Sequence, residues 1–210
     1  MAGRFGRGGS TWGILMAAAL ASGCGGGSAS GPLKMADAQF NPPTAATAFR
    51  PIDEANRAVA QTFTVGLDGR FDEFWLVITD GESADAGVVR ITVQPVSAGG
   101  VIDPDPNHSL INPITVNTSS LPAVLVEQFT EFNLTSQTGV RDVVVGEKYA
   151  LVVEFVSRAT NHDTNAIARV LGQLPNPGDP YANGTGATGQ LGVSFTNNTE
   201  DYFFRTFILH

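Results

Sequence analysis

From residue 60 to the C-terminus the chain repeatedly alternates apolar and polar positions with a period of two, the spacing of strands that bury one face. Ala60-Gln61-Thr62-Phe63-Thr64-Val65 is the first such run, and Gly66-Leu67-Asp68-Gly69 supplies the turn after it. Phe71 to Thr79 follows, with Phe74, Leu76 and Ile78 on one face and Glu73, Trp75 and Val77 on the other. Val88 to Val96 sets Val89, Ile91 and Val93 inward against Arg90, Thr92 and Gln94, the pattern of a half-buried antiparallel strand. Lys148 to Val156 alternates most cleanly, with Tyr149, Leu151, Val153 and Phe155 on one side as core. Leu121–Val126, Glu127–Leu134, Ala166–Leu171, Gly189–Phe195 and Asp201–Leu209 complete the predicted strands. Ser97 to Ser120 reads as a long irregular stretch, and Ile52 to Ala60 offers a helical turn or two at most. Short strands separated by Gly, Pro and Asn loops predict an all-β fold, an antiparallel β-sandwich or barrel.

The first 24 residues have a different pattern. Arg4 and Arg7 form a short basic start, Trp12 to Leu20 is mostly apolar, and Ala21-Ser22-Gly23-Cys24 follows. That order is the order of a bacterial lipoprotein signal, and the apolar run is too short for a permanent membrane span. Cys24 is the only cysteine, so it has no intramolecular disulfide partner, and it is the expected lipidation site. An ordinary secretory peptide cut nearby, with Cys24 incidental, is the alternative. Gly25 to Pro32 is a Gly/Ser-rich flexible tether, and Leu33 to Pro51 continues it as an extended lead-in. The expected division is a signal peptide over 1–23, a disordered tether and lead-in over 24–51, and the sandwich over 52–210. The predicted location is extracytoplasmic, lipid-anchored to a bacterial envelope. Gly25 after the cysteine, where an aspartate can signal inner-membrane retention, favours the outer membrane in a host with two membranes.

Composition narrows the partners. The formal charge is −8, with 20 acidic residues against 12 basic ones, which argues against nucleic acid or anionic lipid as ligand. Three histidines and one cysteine argue against a zinc site. The acidic surface suits a soluble exported domain, and equally one that binds a hard cation.

Asp103, Asp105 and Asn107 are the best candidate metal ligands, because alternate oxygen side chains can turn toward one calcium ion. An EF-hand-like loop would want glycine at 108 and an acid at 114, where this chain has His108 and Ile114, so a rigid proline-stiffened acidic loop is the competing reading. Asp80, Glu82 and Asp85 form a second oxygen cluster, read as a solvated turn. There is no Gly-x-Ser-x-Gly elbow, and in Asn161-His162-Asp163 adjacent strand residues would point to opposite faces, so no catalytic residue is assigned. Trp75 and Tyr181 are the candidate ligand-binding platforms, since sugar C–H faces pack on exposed rings. Packing on the second sheet face is the competing reading for Trp75. Arg205 shares a predicted face with Asp201 and is expected as a structural ion partner.

Four segments, in order, carry a resemblance: Ala60-Gln61-Thr62-Phe63-Thr64-Val65-Gly66, Gly146-Glu147-Lys148-Tyr149-Ala150-Leu151-Val152, Asp179-Pro180-Tyr181-Ala182-Asn183-Gly184, and Asp201-Tyr202-Phe203-Phe204-Arg205-Thr206-Phe207. Together they resemble the jelly-roll-type β-sandwich of exported bacterial surface proteins, the choice-of-anchor and PEP-CTERM-associated type, over roughly residues 55–209. The resemblance implies a two-sheet sandwich and an exported location, and it brings no catalytic motif. The Asp-Pro-Asp-Pro-Asn loop lies outside its motifs. The expected function is therefore a surface-anchored lipoprotein with a non-catalytic binding module for a glycan or an envelope protein. An extracytoplasmic polysaccharide hydrolase and a purely structural envelope protein are the alternatives.

Overall fold

The structure is a computed structural model that describes residues 32–41, 48–55, 57–81, 86–123, 127–159, 165–173 and 181–210. Fifteen strands run in chain order: β1 (Lys34–Phe40), β2 (Ala48–Ile52), β3 (Ala58–Thr64), β4 (Gly69–Leu76), β5 (Ile78–Asp80), β6 (Gly87–Pro95), β7 (Ile114–Asn117) and β8 (Thr130–Asn133). Then come β9 (Asp142–Val143), β10 (Lys148–Arg158), β11 (Ala168–Gln173), β12 (Gly186–Gln190), β13 (Ser194–Asn197), β14 (Asp201–Tyr202) and β15 (Phe204–Leu209). Among the described residues the only helical elements are two 3₁₀ turns, Pro106–His108 and Thr118–Ser120.

All pairings are antiparallel. One layer is a six-stranded sheet in the order β13-β12-β3-β10-β6-β7. The other combines β1-β15-β4-β8, with β9 on β4, and a smaller sheet β14-β11-β2, with β5 on β11. The two parts of this layer meet where the backbone bends. Val77 alone separates β4 from β5, and Phe203 alone separates β14 from β15. At that bend Val77 N–H donates to the Phe203 carbonyl, Phe203 N–H to Leu171, and Leu171 N–H to Val77. The chain passes repeatedly from one layer to the other, so the fold is an antiparallel two-sheet β-sandwich with jelly-roll-like crossovers.

The core lies between the layers. Val59, Phe63, Val89, Ile91, Val93, Leu151 and Val153 from the six-stranded sheet meet Phe71, Phe74, Leu76, Phe132, Phe204 and Ile208 from the other layer. Phe63 packs against Phe71, Tyr149 and Phe204 at ring distances of 6.1, 6.2 and 5.8 Å. Aromatic contacts of this kind add about 0.5–1.5 kcal/mol each beyond simple area burial.

A bulge explains why strict alternation misplaces part of β4. Glu73 pairs with Phe207 and Phe71 with Ile208, so Asp72 is the extra residue. Phe71 and Phe74 thus both reach the core, although their spacing of three is not a strand period.

The fold begins earlier than the predicted boundary at Ile52. β1 pairs with β15 from Lys34↔Leu209 to Phe40↔Phe204, and β2 pairs with β11. β1 is an edge strand that buries only Ala38, so its sequence carries no apolar periodicity and backbone pairing defines it. Gly189–Phe195, expected as one strand, is instead a hairpin of β12 and β13 turning at 191–193. Leu121 to Ala123 forms no strand, and 124–126 lie outside the described residues. Ile52 to Ala60 contains no helical turn among its described residues, and β3 already starts at Ala58.

The centre of the outer face of the six-stranded sheet is covered, while Lys148, Val156 and Thr115 at its margins stay exposed. Ala58, Ala60, Ala150, Val152 and Ala187 on that face are buried beneath Ile102 and Leu191. Ile102 forms an isolated bridge with Val96, and Gly192 N–H donates to the Pro104 carbonyl at 2.7 Å, which ties the covering segments together. Thr92 and Gln94, expected outward, are accordingly fully buried. Neither amide atom of Gln94 has a hydrogen-bond partner. A buried polar group without a partner costs about 1–3 kcal/mol. Gln94→Met should therefore raise the stability of the purified protein by about 1–2 kcal/mol in urea unfolding, at unchanged slope; a destabilised variant would mean that the amide is satisfied by bound water.

Candidate ligand-binding groove

Two adjoining depressions lie at one end of the six-stranded sheet, where β10 begins and β6 and β3 end. The first, of about 470 Å³, runs between the Pro95–Ala98 turn and Gly146–Tyr149. The second, of about 290 Å³, runs from Lys148 and Val96 to Thr62, Thr64, Asn183 and Asn197. They share Val96 and Lys148 and form one open, bent groove.

Backbone bonds fix its walls. Val96 N–H donates to the Lys148 carbonyl at 2.9 Å and Val65 N–H to the Glu147 carbonyl at 2.9 Å, so β6 and β3 are locked on either side of β10. The turn before β10 passes through Gly146 at φ 88°, a left-handed conformation that glycine adopts without strain. The far wall is the Tyr181–Thr185 loop. Thr62 Oγ and Thr64 Oγ donate to the carbonyls of Thr185 and Asn183, each at 3.0 Å. A Cβ on Gly184 would stand 1.9 Å from the Thr62 carbonyl oxygen, so the loop reaches β3 this closely only with glycine there.

Tyr149 is half-buried in the groove. Its ring rests on Phe63, while its hydroxyl donates to Glu147 Oε2 at 2.8 Å. Burial, with the Glu147 carboxylate adding to it, pushes the Tyr149 pKa up to about 12, so the phenol stays protonated at physiological pH. Glu147 also accepts from Val144 N–H at 3.1 Å and is the only carboxylate among the described residues that line the two depressions. The exposed Lys148 ammonium and the side-chain amides of Asn183 and Asn197 make no hydrogen bonds of their own among the described residues. The groove thus offers a ring edge, a fixed carboxylate, a cation and two amides to an extended polar ligand. Sequence alternation puts Tyr149 on the core side of β10, and its ring does rest on Phe63, but alternation gives no sign that this position lies at the end of the sheet, half-buried, with its phenol at a rim.

The predicted sites fall elsewhere. Tyr181 is buried, with its ring edge-on to Phe204 at 5.1 Å and its N–H donating to Asp201 Oδ2. It supports the groove wall from beneath and presents no platform. Trp75 is half-buried on the outer face of β4 and its ring is taken up by neighbours. The Arg205 guanidinium lies 5.1 Å from Trp75 and 4.6 Å from Phe129, Phe207 packs at 5.0 Å, and the indole N–H donates to Glu73. Glu73 is buried and also receives Lys34. Second-face packing therefore accounts for Trp75. Arg205 is not the partner of Asp201: it donates to Asn41 Oδ1 at 2.6 Å, while Asp201 accepts from Gln61 Nε2 and Tyr181 N–H inside the fold. The break at Phe203 turns the two residues apart.

Asp103, Asp105 and Asn107 do come together, but as a self-bonded loop. Asp103 Oδ1 accepts from Asp105 N–H, and its Oδ2 lies 2.8 Å from His108 Nδ1. Asp105 Oδ1 caps the 3₁₀ turn by accepting from both the backbone and the side-chain amide of Asn107. The Asn107 amide nitrogen, not its oxygen, faces the carboxylate, so a cation there would have to displace these bonds. No group of three or more His, Cys, Asp or Glu placed to hold a metal occurs among the described residues. Asp80 Oδ1 accepts from Gly81 N–H, as expected for a turn; Cys24, Glu82, Asp85 and His162 lie outside the described residues.

Fold and groove together define the class: an all-β sandwich that presents an open polar groove at the loop end of one sheet. No protein-family model matches the chain, and no curated protein or solved structure shows a significant match to it.

The His108–Asp103 pair is directly measurable. The hydrogen bond and charge of Asp103, with Asp105 behind it, raise the His108 pKa above its ordinary 6.5. The stability this contributes is present below the ordinary value and is lost as pH rises through the raised one. Asp103→Asn should bring the His108 pKa down toward 6.5 in an NMR titration; an unchanged value would show that the pair does not form in solution.

Proposed function

We propose that this chain is a lipid-anchored, extracytoplasmic binding module without catalytic activity, and that it holds a glycan or another hydroxyl-rich envelope component in the groove between Tyr149 and Asn197. The groove's composition carries the reading. It is polar, open at both ends and built on fixed backbone, and its unpaired groups are an ammonium and two amides beside an aromatic edge, which suits hydroxyls and sugar C–H faces. The one carboxylate among its described lining residues is tied to Tyr149 and Val144, whereas glycoside hydrolysis needs a pair some 5–10 Å apart across the scissile bond. That favours binding over the polysaccharide-hydrolase alternative. The anchor rests on the sequence of the first 24 residues and on the resemblance to exported surface sandwiches.

The purified protein should be retained on at least one immobilised envelope polysaccharide. Tyr149→Ala and Lys148→Ala should each weaken that retention by about tenfold, and Trp75→Ala should leave it unchanged in the folded fraction. Loss on Trp75→Ala alone would move the site to the opposite layer, and release of shortened oligosaccharides would restore the hydrolase. Separately, Cys24→Ala should abolish lipid labelling and free the protein from the membrane fraction; unchanged membrane retention would remove the lipoprotein reading.

A further inference from the structure

A second concavity, of about 370 Å³, shares no lining residue with the groove and is bounded by Arg90, Asn107, Ser109, Asn112 and Arg141. No aspartate or glutamate lines it, in a chain whose formal charge is −8. Its two guanidinium groups are differently held. Arg90 donates through Nε and one Nη to the same oxygen of Glu154, itself buried in the sheet, which fixes the fork and leaves the other Nη without a hydrogen-bond partner among the described residues. Arg141 is exposed, and its guanidinium makes no hydrogen bond or ion pair among the described residues.

The walls are pinned to each other rather than merely adjacent. Arg141 N–H donates to the Leu110 carbonyl at 3.2 Å, and Asn112 Nδ2 donates to the Thr138 carbonyl at 2.7 Å, so the 138–141 strap is tied to the 106–113 loop. On the floor, Ser109 Oγ accepts from Val93 N–H and Ile111 N–H, which leaves its hydroxyl proton as the capacity still to be used. The unfilled groups of this concavity include the guanidinium N–H groups and the Ser109 hydroxyl proton, donors that match a tetrahedral oxyanion or a carboxylate, beside the amide oxygens of Asn107 and Asn112. Asp103 and Asp105 face His108 and the capped turn, and Asp142, next to Arg141 in the chain, is exposed but does not line the concavity.

We propose that this concavity is an oxyanion site that takes a sulfate or phosphate group, with Arg141 closing on the ligand and Arg90, clamped by Glu154, as the preset half. The site shares no lining residue with the Tyr149 groove, although the Arg141 charge is close enough to act on Tyr149.

The test is an NMR titration of the full chain with sodium sulfate and sodium phosphate against sodium chloride at matched ionic strength, followed by dextran sulfate against uncharged dextran. The expected result is saturable, anion-specific shifts at residues 107–113 and 139–141. Arg141→Ala should weaken binding by about tenfold or more at unchanged melting temperature, with Arg141→Lys intermediate. Since Arg141 has no partner to lose, the variant should fold. Saturation by the inorganic anions alone would define a free-anion site, and much tighter binding of dextran sulfate would define an anionic polymer as the ligand; both support the proposal. Shifts that follow chloride equally, or an affinity untouched by Arg141→Ala, would overturn it.

Discussion

Both faces of the six-stranded sheet have to be kept from water, and most of the architecture follows from that requirement. Its inner face carries Val59, Phe63, Ile91, Val93, Leu151 and Val153, which need the opposing layer. Its outer face is paved with Ala58, Ala60, Ala150, Val152 and Ala187, too apolar to stand exposed and too small to shield one another. Ile102 and Leu191 close it, and each burial of such a side chain is worth about 1.5–3 kcal/mol. The chain therefore has to fold the segment after β6 and the β12–β13 turn back across the sheet. The Asp-Pro-Asp-Pro-Asn run is the far end of that cover: Asp105 caps the 3₁₀ turn that Pro106 opens, and Asp103 holds His108.

The polar concavities are by-products of this covering that chemistry can use. The cover meets the sheet closely at Ile102, and the first groove opens at the end of the sheet, where β6 ends and β10 begins. The second concavity lies where the 106–113 loop descends from the cover toward β7 and meets the strap before β9. In both, backbone hydrogen bonds hold the rim, so the side chains left without partners are held in place by a rigid frame.

The opposite layer solves a different problem. On its outer face Trp75 and Phe207 pack with Phe129, from the stretch before β8, and with Arg205 and Lys34, and Glu73 is buried beneath them. Guanidinium over indole and a carboxylate receiving lysine and indole N–H let charged residues serve as a lid. That is why Trp75, the obvious aromatic platform on paper, is occupied by its own chain.

The sequence alone determined the class of the fold. Period-two alternation is local, so the strands with one buried face were legible, above all β3, β6 and β10. It could not register β1, whose membership rests on backbone bonds to β15 with one buried side chain, nor the bulge at Asp72, which exists only because a partner strand lacks a residue there. Tertiary structure alone decided which faces are covered twice. That choice buried Tyr181, Thr92 and Gln94, left Tyr149 at a rim, parted Arg205 from Asp201, and brought Arg90 beside Arg141 from segments some fifty residues apart. Alternation records which side of a strand a residue points to, but burial depends on what arrives on that side, and in this protein the arriving loops come from elsewhere in the chain.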